Sequence, residues 1–597
     1  MTTALHAGAV SRDACPDYPE DVRTLLDVLA YQCQQMPDRP ICHRIVRRGR
    51  VLDAEPLTVH ALGVRATAAA TALRAAGIRD GDRVLVSLSD PHDFVVAFFA
   101  SLIAGARAVP LPTTAEAGAP RSFAARVRGV TADCAPALAV VEDRERFARV
   151  VGTLPRHVTM VEPADLADGR EPEVRLPRRA ASAPAFIQYT SGSTGAPKGV
   201  VVTHGNVLAN CRAIRDATAY SRADRMVSWL PLHHDMGFVG GLLTSIYCAA
   251  ETWLLPPLVF LARPVTWLEA ITAFCASLTV APTFAYRLCA RKIPAKQLAR
   301  VDLSTLRLAY VGAEPVDRGT VQAFVDRFGP YGLRANAMYP VYGLAEATLA
   351  VTFPAPGSAL RCDTVDRSRL ARDRVAVPAE DGADAVTFVS VGQALPGHRV
   401  TICDDTGAPL PDRRLGELVV TGPSVSPGYY TDGALPPRVT LRTADLAYVA
   451  DGHLYVVDRI KDLVIVRGQN YAPSDIERAA TVEGLRPGRI VAFSQPAACG
   501  DEEVHLVAEA SPHAWRAPGD VAAEARMRVL RDVGLAVASV TIVAPGSLER
   551  TSSGKVRRRA CAEAHAKGTL HVLRTRWDVL ACRARRRANR LRRFAVR

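Results

Sequence analysis

The 597-residue sequence holds thirteen cysteines but no C-x-x-C pair. Their odd number and scatter suit neither a disulfide frame nor a zinc site, and reduced thiols in a cytoplasm are the expectation. Long apolar runs are missing too. The longest, Val95 to Ala106, stops at Arg107 and reads as a buried helix, since a membrane span needs roughly 20 such residues. The opening twenty residues lack a basic stretch leading into an apolar core, so no signal peptide is expected. There are no internal repeats. A Walker loop is also absent. In "YTSGSTGAPKGV" (189–200), Lys198 lies between Pro197 and Gly199, whereas the Walker lysine follows a glycine and precedes Ser or Thr. Most of the chain also lacks excess charge. Residues 555–597 carry fifteen Lys/Arg against two acids, which is +13 of the net +14.

What remains is a chain with 49% apolar and 22% charged residues. That is the mix of a soluble globular protein, and the length exceeds one ordinary domain. "TLLDVLAYQCQQMPDRP" (24–40) has helical spacing and a proline stop. Short β-branched runs then alternate with helix-like segments: 82–90, 137–143, 225–232, 277–283 and 306–313. This pattern predicts an α/β protein with largely parallel sheets. After about residue 385, strands broken by Gly and Pro suggest a β-rich part. A smaller strand-and-helix domain begins near "DRIKDLVIVRGQN" (458–470) and runs to about 567, followed by a basic Arg-rich tail over 568–597.

The glycine- and hydroxyl-rich loop between "AFIQY" (185–189) and "GVVVTH" (199–204) suits phosphate, because such a loop can wrap N–H and O–H groups around an anion. It resembles the phosphate-binding signature of the adenylate-forming superfamily. That resemblance gives Thr190, Ser191, Gly192, Ser193, Thr194, Gly195 and Lys198 to the phosphates of ATP that leave as pyrophosphate. Further segments follow in the family's order. "MYPVYGLAEATLAV" (338–351) resembles its Y-G-x-x-E element, which implies Glu346 as a magnesium ligand and Tyr342 and Gly343 near the nucleotide. "VGAEPV" (311–316) is similar to the adenine-pocket segment, with Gly312, Ala313 and Glu314. In "RTADLAYVADGHLYVVDRIKD" (442–462) the resemblance assigns Asp445 to the ribose hydroxyls, Arg459 beside it and Lys461 as hinge. Ala444 stands where the family commonly has glycine. "LERTSSGKVRR" (548–558) is similar to the motif of the catalytic lysine, here Lys555.

The resemblance covers residues 24–567 and is nearest the fatty acyl-AMP ligase branch. It implies a large N-terminal domain (1–460) of mixed and parallel sheets with helices, including a β-rich part at 385–460. A small mobile C-terminal α+β domain (461–567) would follow. It also implies ATP and Mg2+ as cofactors. "LPLHHDMGFVGGLLTSIYCAA" (230–250) and "APTFAYRLC" (281–289) imply a fatty-acyl tunnel with His234, Asp235, Met236, Gly237, Phe238, Leu242, Phe284 and Tyr286. The segment 352–392 resembles an insertion that disfavours CoA. The implied acceptor is therefore the phosphopantetheine thiol of a holo acyl carrier protein. The alternatives are a long-chain acyl-CoA ligase and a noncatalytic nucleotide-binding scaffold. In the tail, Leu573, Trp577, Leu580 and Leu591 recur at helical spacing among arginines. Peripheral contact with an acidic partner or an anionic surface would suit that pattern. No transmembrane segment and no specific nucleic acid are expected.

Overall fold

Short β-branched runs alternating with helices build two seven-stranded sheets in the computed structural model. It describes residues 14–575 and 578, apart from 49–50, 117–119, 153, 168–171, 175, 192–196, 381, 383, 432–434, 463, 467–468, 497–501, 512–515 and 551–555. One sheet runs, edge to edge, through Met338–Pro340, Leu308–Gly312, Leu278–Pro282, Arg225–Ser228, Glu251–Leu254, Pro40–Arg48 and Val51–Thr58. All its neighbours are parallel except the last two strands, which form a hairpin. The other sheet runs through Gly428–Tyr429, Pro197–Thr203, Pro184–Ser191, Arg107–Pro110, Arg83–Ser87, Leu138–Val141 and Thr159–Val161. Its hairpin, Pro184–Ser191 with Pro197–Thr203, brackets the glycine-rich loop.

The apolar run at 95–106 becomes helix Pro91–Ala104, capped by Asp90 and ended by Gly105 with φ +86°. Every residue of that helix except Asp93 is buried, as a helix that is apolar all round must be. Helix Leu25–Gln35 begins with a capping box between Thr24 and Asp27. Among the described residues, no helix is long and apolar enough to cross a membrane.

An antiparallel sheet follows, with strands Arg399–Cys403, Gly416–Thr421, Thr440–Ala450 and His453–Arg459. Segment 352–392 contributes a two-stranded ribbon, Cys362–Asp366 with Ala385–Val389, joined through helix Arg367–Asp373. The ribbon's Val365, Leu370 and Phe388 pack on Leu446, Tyr448 and Tyr455 of that sheet. Beyond the short 3-10 turn Ile460–Asp462 lies a separate apolar cluster from Val464 to Leu573. It fills one face of a three-stranded sheet under helices Pro473–Ala479 and Pro518–Val533, while helix Arg558–Ala566 packs on the other face through Cys561.

Candidate active site

One cleft of about 1640 Å³ runs between the large sheets' strand ends and the small C-terminal unit. Strand register builds one polar corner of it. Strands Thr440–Ala450 and His453–Arg459 pair Asp445 directly with Arg459. The first of these strands bulges opposite Glu417, which turns Asp445 into the cleft. Ala444 takes φ +61° at that bulge, a conformation that glycine adopts more cheaply. Its N–H donates to Glu417 Oε1 at 3.0 Å. Asp445 is only 5% exposed. It accepts the Tyr342 hydroxyl at 2.6 Å and Arg459 Nε at 3.0 Å. Burial, and then the Asp445 carboxylate, push the Tyr342 phenol well above its ordinary pKa, so it stays a donor.

Glu346 sits on a tight 3-10 turn, Ala345–Ala347. The chain leaves it through Thr348 at φ +68°, ψ −54°, with Leu349 N–H donating to the Ala347 carbonyl at 2.8 Å. This is a γ-turn of the rare, strained kind. The Thr348 hydroxyl holds it by donating to the Ser424 carbonyl at 2.7 Å. The return also explains Gly343, where any Cβ would fall 1.9 Å from the Leu349 carbonyl oxygen. Glu346 Oε1 accepts the Tyr429 hydroxyl at 2.8 Å, and Lys198 Nζ lies 5.0 Å from the centre of the Tyr429 ring. Tyr429 therefore connects two candidate phosphate-handling residues. Only "GYY" after a turn marks it in the sequence.

Thr190, Ala313 and Glu314 also line the cleft. Ala313 is left-handed at φ +61°. The Glu314 carboxylate accepts the Phe284 N–H at 3.1 Å, at the start of helix Thr283–Lys292. Gly312 lies just behind the wall, where a Cβ would meet the Val341 side chain and carbonyl at 2.9 and 3.0 Å. Gly192, Ser193, Thr194, Gly195 and Lys555 lie outside the described residues, as do the side chains of Ser191 and Lys461. Val556, next to Lys555 in sequence, lines the cleft.

The expected tunnel residues separate into two groups. His234, Asp235, Met236 and Phe284 line the cleft. His234 Nδ1 lies 2.8 Å from Asp235 Oδ1. Phe238 instead packs edge-on against Phe94, Phe98 and Phe186 in the core. Leu242 is buried at 1% exposure. Tyr286 is buried against Trp267 and Phe324, its hydroxyl donating to the Tyr310 carbonyl at 2.9 Å. Gly237 passes so close to the Pro231 carbonyl that a Cβ would come within 2.5 Å. Met236–Leu243 is a π-helix whose positions 236 and 240 face the cleft while 238 and 242, about half a turn away, face the core. The apolar wall is completed by Ile214, Met226, Gly240, Val280 and Leu349. Motif reading also passed over a buried polar pair beside it. Gln188 Nε2 donates to the His233 carbonyl at 2.7 Å, and burial keeps the His233 imidazole well below its ordinary pKa and neutral.

The small unit closes the far side through Glu477, Arg478, Arg489 and Arg558. Arg558 donates to Glu477 at 2.6 Å and to the Ala492 carbonyl at 2.9 Å, and lies 3.8 Å from Asp462 in the turn Ile460–Asp462. The insertion reaches this unit too, with Arg367 lying 3.9 Å from Asp475.

A buried Tyr342–Asp445–Arg459 corner, Glu346 beside Lys198 and an apolar wall thus meet in one cleft, and the fold is that of the adenylate-forming enzymes. The chain belongs to the AMP-binding enzyme family, whose sequence profile matches residues 29–430. It is similar to a chain from the structural study of fatty acyl-adenylate ligases from E. coli and L. pneumophila. That match has a TM-score of 0.84 at 34% identity and covers 93% of this chain and 99% of the other. Among known sequences, it is 34% identical over 540 residues to 4-hydroxyphenylalkanoate adenylyltransferase of Mycobacterium marinum, with 85% and 86% of the two chains covered. It is 31% identical over 573 residues to the medium-chain-fatty-acid–[acyl-carrier-protein] ligase JamA of Moorena producens, with 92% and 96% covered.

Proposed function

We propose that the protein is a fatty acyl-AMP ligase. It joins a fatty acid to the AMP part of ATP, releases pyrophosphate, and passes the acyl group to the phosphopantetheine thiol of a holo acyl carrier protein, which displaces AMP. One observation carries the reading. Glu346, Lys198 and the Tyr342–Asp445–Arg459 group share a single cleft with the apolar wall of Met226, Gly240, Val280 and Phe284.

In the first step the fatty acid's carboxylate attacks the α-phosphorus, forming the acyl-phosphate bond as the bond to pyrophosphate breaks. Asp445 takes the ribose hydroxyls, and its charge strengthens those hydrogen bonds. Two anions must meet, so Lys198 at the outgoing phosphates and Lys555 at the reacting oxygens offset the charge they bring together. A well-placed donor of this kind contributes about 3–4 kcal/mol to the transition state. The residues fit magnesium. Glu346 is a hard oxygen donor whose partner is a neutral phenol. Among the described residues no group of three His, Cys, Asp or Glu stands ready to hold an ion, so its other ligands would be phosphate oxygens and water. When bound, the ion spreads the charge on the phosphates. The acyl-adenylate is a mixed anhydride that water destroys, and a small domain lining the same cleft keeps water from it.

The ribbon of 352–392, anchored on the antiparallel sheet and reaching Asp475 through Arg367, supports a restraint on the small domain's rotation and hence a carrier rather than CoA as acceptor. The test is a chase. Radiolabelled dodecanoyl-adenylate is formed on the enzyme with ATP and Mg2+, then divided between excess CoA and a holo acyl carrier protein, with a 4-hydroxyphenylalkanoate run in parallel. Label on the carrier and not on CoA is expected, with the aryl acid the poorer substrate. Efficient transfer to CoA would make the protein an acyl-CoA ligase, and no adenylate at all would leave only a nucleotide-binding scaffold.

A further inference from the structure

Two cysteines that stand far apart in the sequence meet in the fold, and neither lines the cleft. Residues 14–18 lie as an irregular strap against the end of helix Thr244–Tyr247. A helix end leaves carbonyls without partners inside the helix, and here the N-terminal segment supplies the donors. The Tyr18 hydroxyl donates to the Tyr247 carbonyl at 2.7 Å. Gln32 Nε2 donates to the Ile246 carbonyl at 2.6 Å and to the Tyr18 hydroxyl oxygen at 2.7 Å. Arg222 pins the strap from its other end, with Nε donating to the Ala14 carbonyl at 2.7 Å. Cys15 Sγ is thereby set 3.9 Å from the Tyr247 carbonyl oxygen and in hydrogen-bond contact with the thiol of the next residue, Cys248. Both are free thiols.

The pair is asymmetric. Cys248 is fully buried, and burial keeps its thiol protonated, a donor. Cys15 is only half-buried, so a small reagent can reach it from solvent. The hydrogen bond from Cys248 and, against the cost of burial, the Arg215 and Arg222 guanidinium groups hold the Cys15 thiol below its ordinary pKa. Arg215 also serves Asp216 at 2.7 Å and the Tyr247 hydroxyl at 3.5 Å. Elsewhere burial works the other way, pushing the Cys33 and Cys134 thiols up to about 11. A reachable sulfur that leans toward the thiolate, with a second thiol against it, is the arrangement in which oxidation ends in a disulfide.

We propose that Cys15 and Cys248 form a peroxide-sensitive modification site, which closes to a disulfide and locks the N-terminal strap onto the end of helix Thr244–Tyr247. The Cys15 thiolate attacks one oxygen of hydrogen peroxide, the O–O bond breaks, and the departing hydroxide leaves as water once protonated. Cys15 is then a sulfenic acid. The Cys248 sulfur attacks the Cys15 sulfur, the S–O bond breaks, and the second hydroxide takes the Cys248 proton. Two thiols and one peroxide thus give one disulfide and two waters, with two electrons passing from sulfur to oxygen. The sulfurs must close from hydrogen-bond contact to about 2.05 Å. The strap is the side free to move, because Cys248 is buried and its N–H is tied to the Thr244 carbonyl at 2.9 Å. The bond would span a long stretch of chain and so take freedom from the unfolded state.

The test treats the reduced full chain with a small excess of hydrogen peroxide, alkylates the remaining thiols with iodoacetamide and maps the unreduced peptides by mass spectrometry. The expected product is a linked Cys15–Cys248 peptide pair, two hydrogens lighter than the free peptides together and split again by dithiothreitol. It should form roughly ten times faster than any oxidation at Cys33 or Cys362, and be absent from Cys15→Ser and Cys248→Ala. Before oxidation, iodoacetamide at pH 7 should label Cys15 roughly ten times faster than Cys33, and more slowly in Cys248→Ala, which lacks the donor. The oxidised parent should melt about 3 °C above the reduced one, a rise that Cys15→Ser does not show. Cys15→Ser changes only the half-buried strap, so the comparison stands even where Cys248→Ala folds poorly. Cys15 carried on to sulfinic acid while Cys248 still alkylates would overturn the proposal. So would Cys15 reacting no faster than Cys33, or the exposed Cys275 linking two copies in place of the internal pair. An internal bond that leaves the melting point unmoved would overturn the lock.

Discussion

At the scale of single residues, the site depends on one buried carboxylate held by a phenol and a guanidinium. Asp445 keeps both of its oxygens engaged, with Tyr342 on one and Arg459 on the other. A ribose that binds there meets an acceptor already oriented and charged. Asp445→Asn keeps the size but loses the charge, and it turns half of the acceptor into a donor facing Arg459. A charge-assisted hydrogen bond is worth about 1.5–3 kcal/mol, so the KM for ATP should rise roughly 10- to 150-fold. The KM for the fatty acid should barely move. Pyrophosphate-release kinetics with each substrate varied in turn would check this, and an equal rise in both constants would contradict a ribose-specific role. Asp445 and Arg459 were legible in the sequence because their chemistry sits in an ordered string of motifs. Tyr429 was not, since its importance comes from lying across Glu346 and Lys198, 83 residues and more than two hundred residues away in the chain.

At the scale of elements, the strand-and-helix alternation was readable almost throughout. The runs at 82–90, 137–143, 225–232, 277–283 and 306–313 each contain a strand of a large sheet. The hairpin Pro40–Arg48 with Val51–Thr58 was missed, because the arginine-rich Pro40–Arg48 and the edge strand Val51–Thr58 both lack a clean alternation. Met236–Leu243 shows a different limit. Its residues divide between two surfaces, so Phe238 and Leu242, expected on the tunnel wall together with Met236, face the core instead. Gly240 is the position of this helix that lies on the wall one turn beyond Met236, and a Cβ there would lie 3.0 Å from Leu349 Cδ2. Gly240→Leu should therefore fill apolar space across from Leu349 and shorten the longest fatty acid accepted by several carbons. Each methylene excluded forgoes about 0.8 kcal/mol of burial. A chain-length series of fatty acids assayed for adenylate formation would show the optimum moving to shorter acids. An unchanged profile would place the chain's path elsewhere.

For the molecule as a whole, the sequence does not say how the parts are tied. Helix Leu25–Gln35 is joined to helix His204–Thr218 through His204, which is 2% exposed and whose Nδ1 accepts the Leu25 N–H at 3.3 Å. That bond needs a neutral imidazole, and burial lowers the His204 pKa from 6.5 to about 4. Between those values the unfolded chain binds a proton that the folded one refuses, so stability rises with pH across that window. The contribution is full above pH 6.5 and is lost as pH falls toward 4, up to about 3 kcal/mol in all. His92 and His233 shift in the same direction through burial. Glu477 opposes them: its carboxyl, raised to about 7 by burial, favours the folded state as pH falls from 7 toward 4.5. The total acid response is therefore blunted, and the histidine's part has to be isolated by substitution. His204→Asn offers a side-chain oxygen to the same N–H without a titrating ring. Thermal midpoints of parent and variant, followed by calorimetry from pH 7.5 to 5, should run parallel above 6.5 and then diverge, the parent falling faster. Curves that stay parallel to pH 5 would mean that the neutral His204 contact does not help set the acid stability of the large domain.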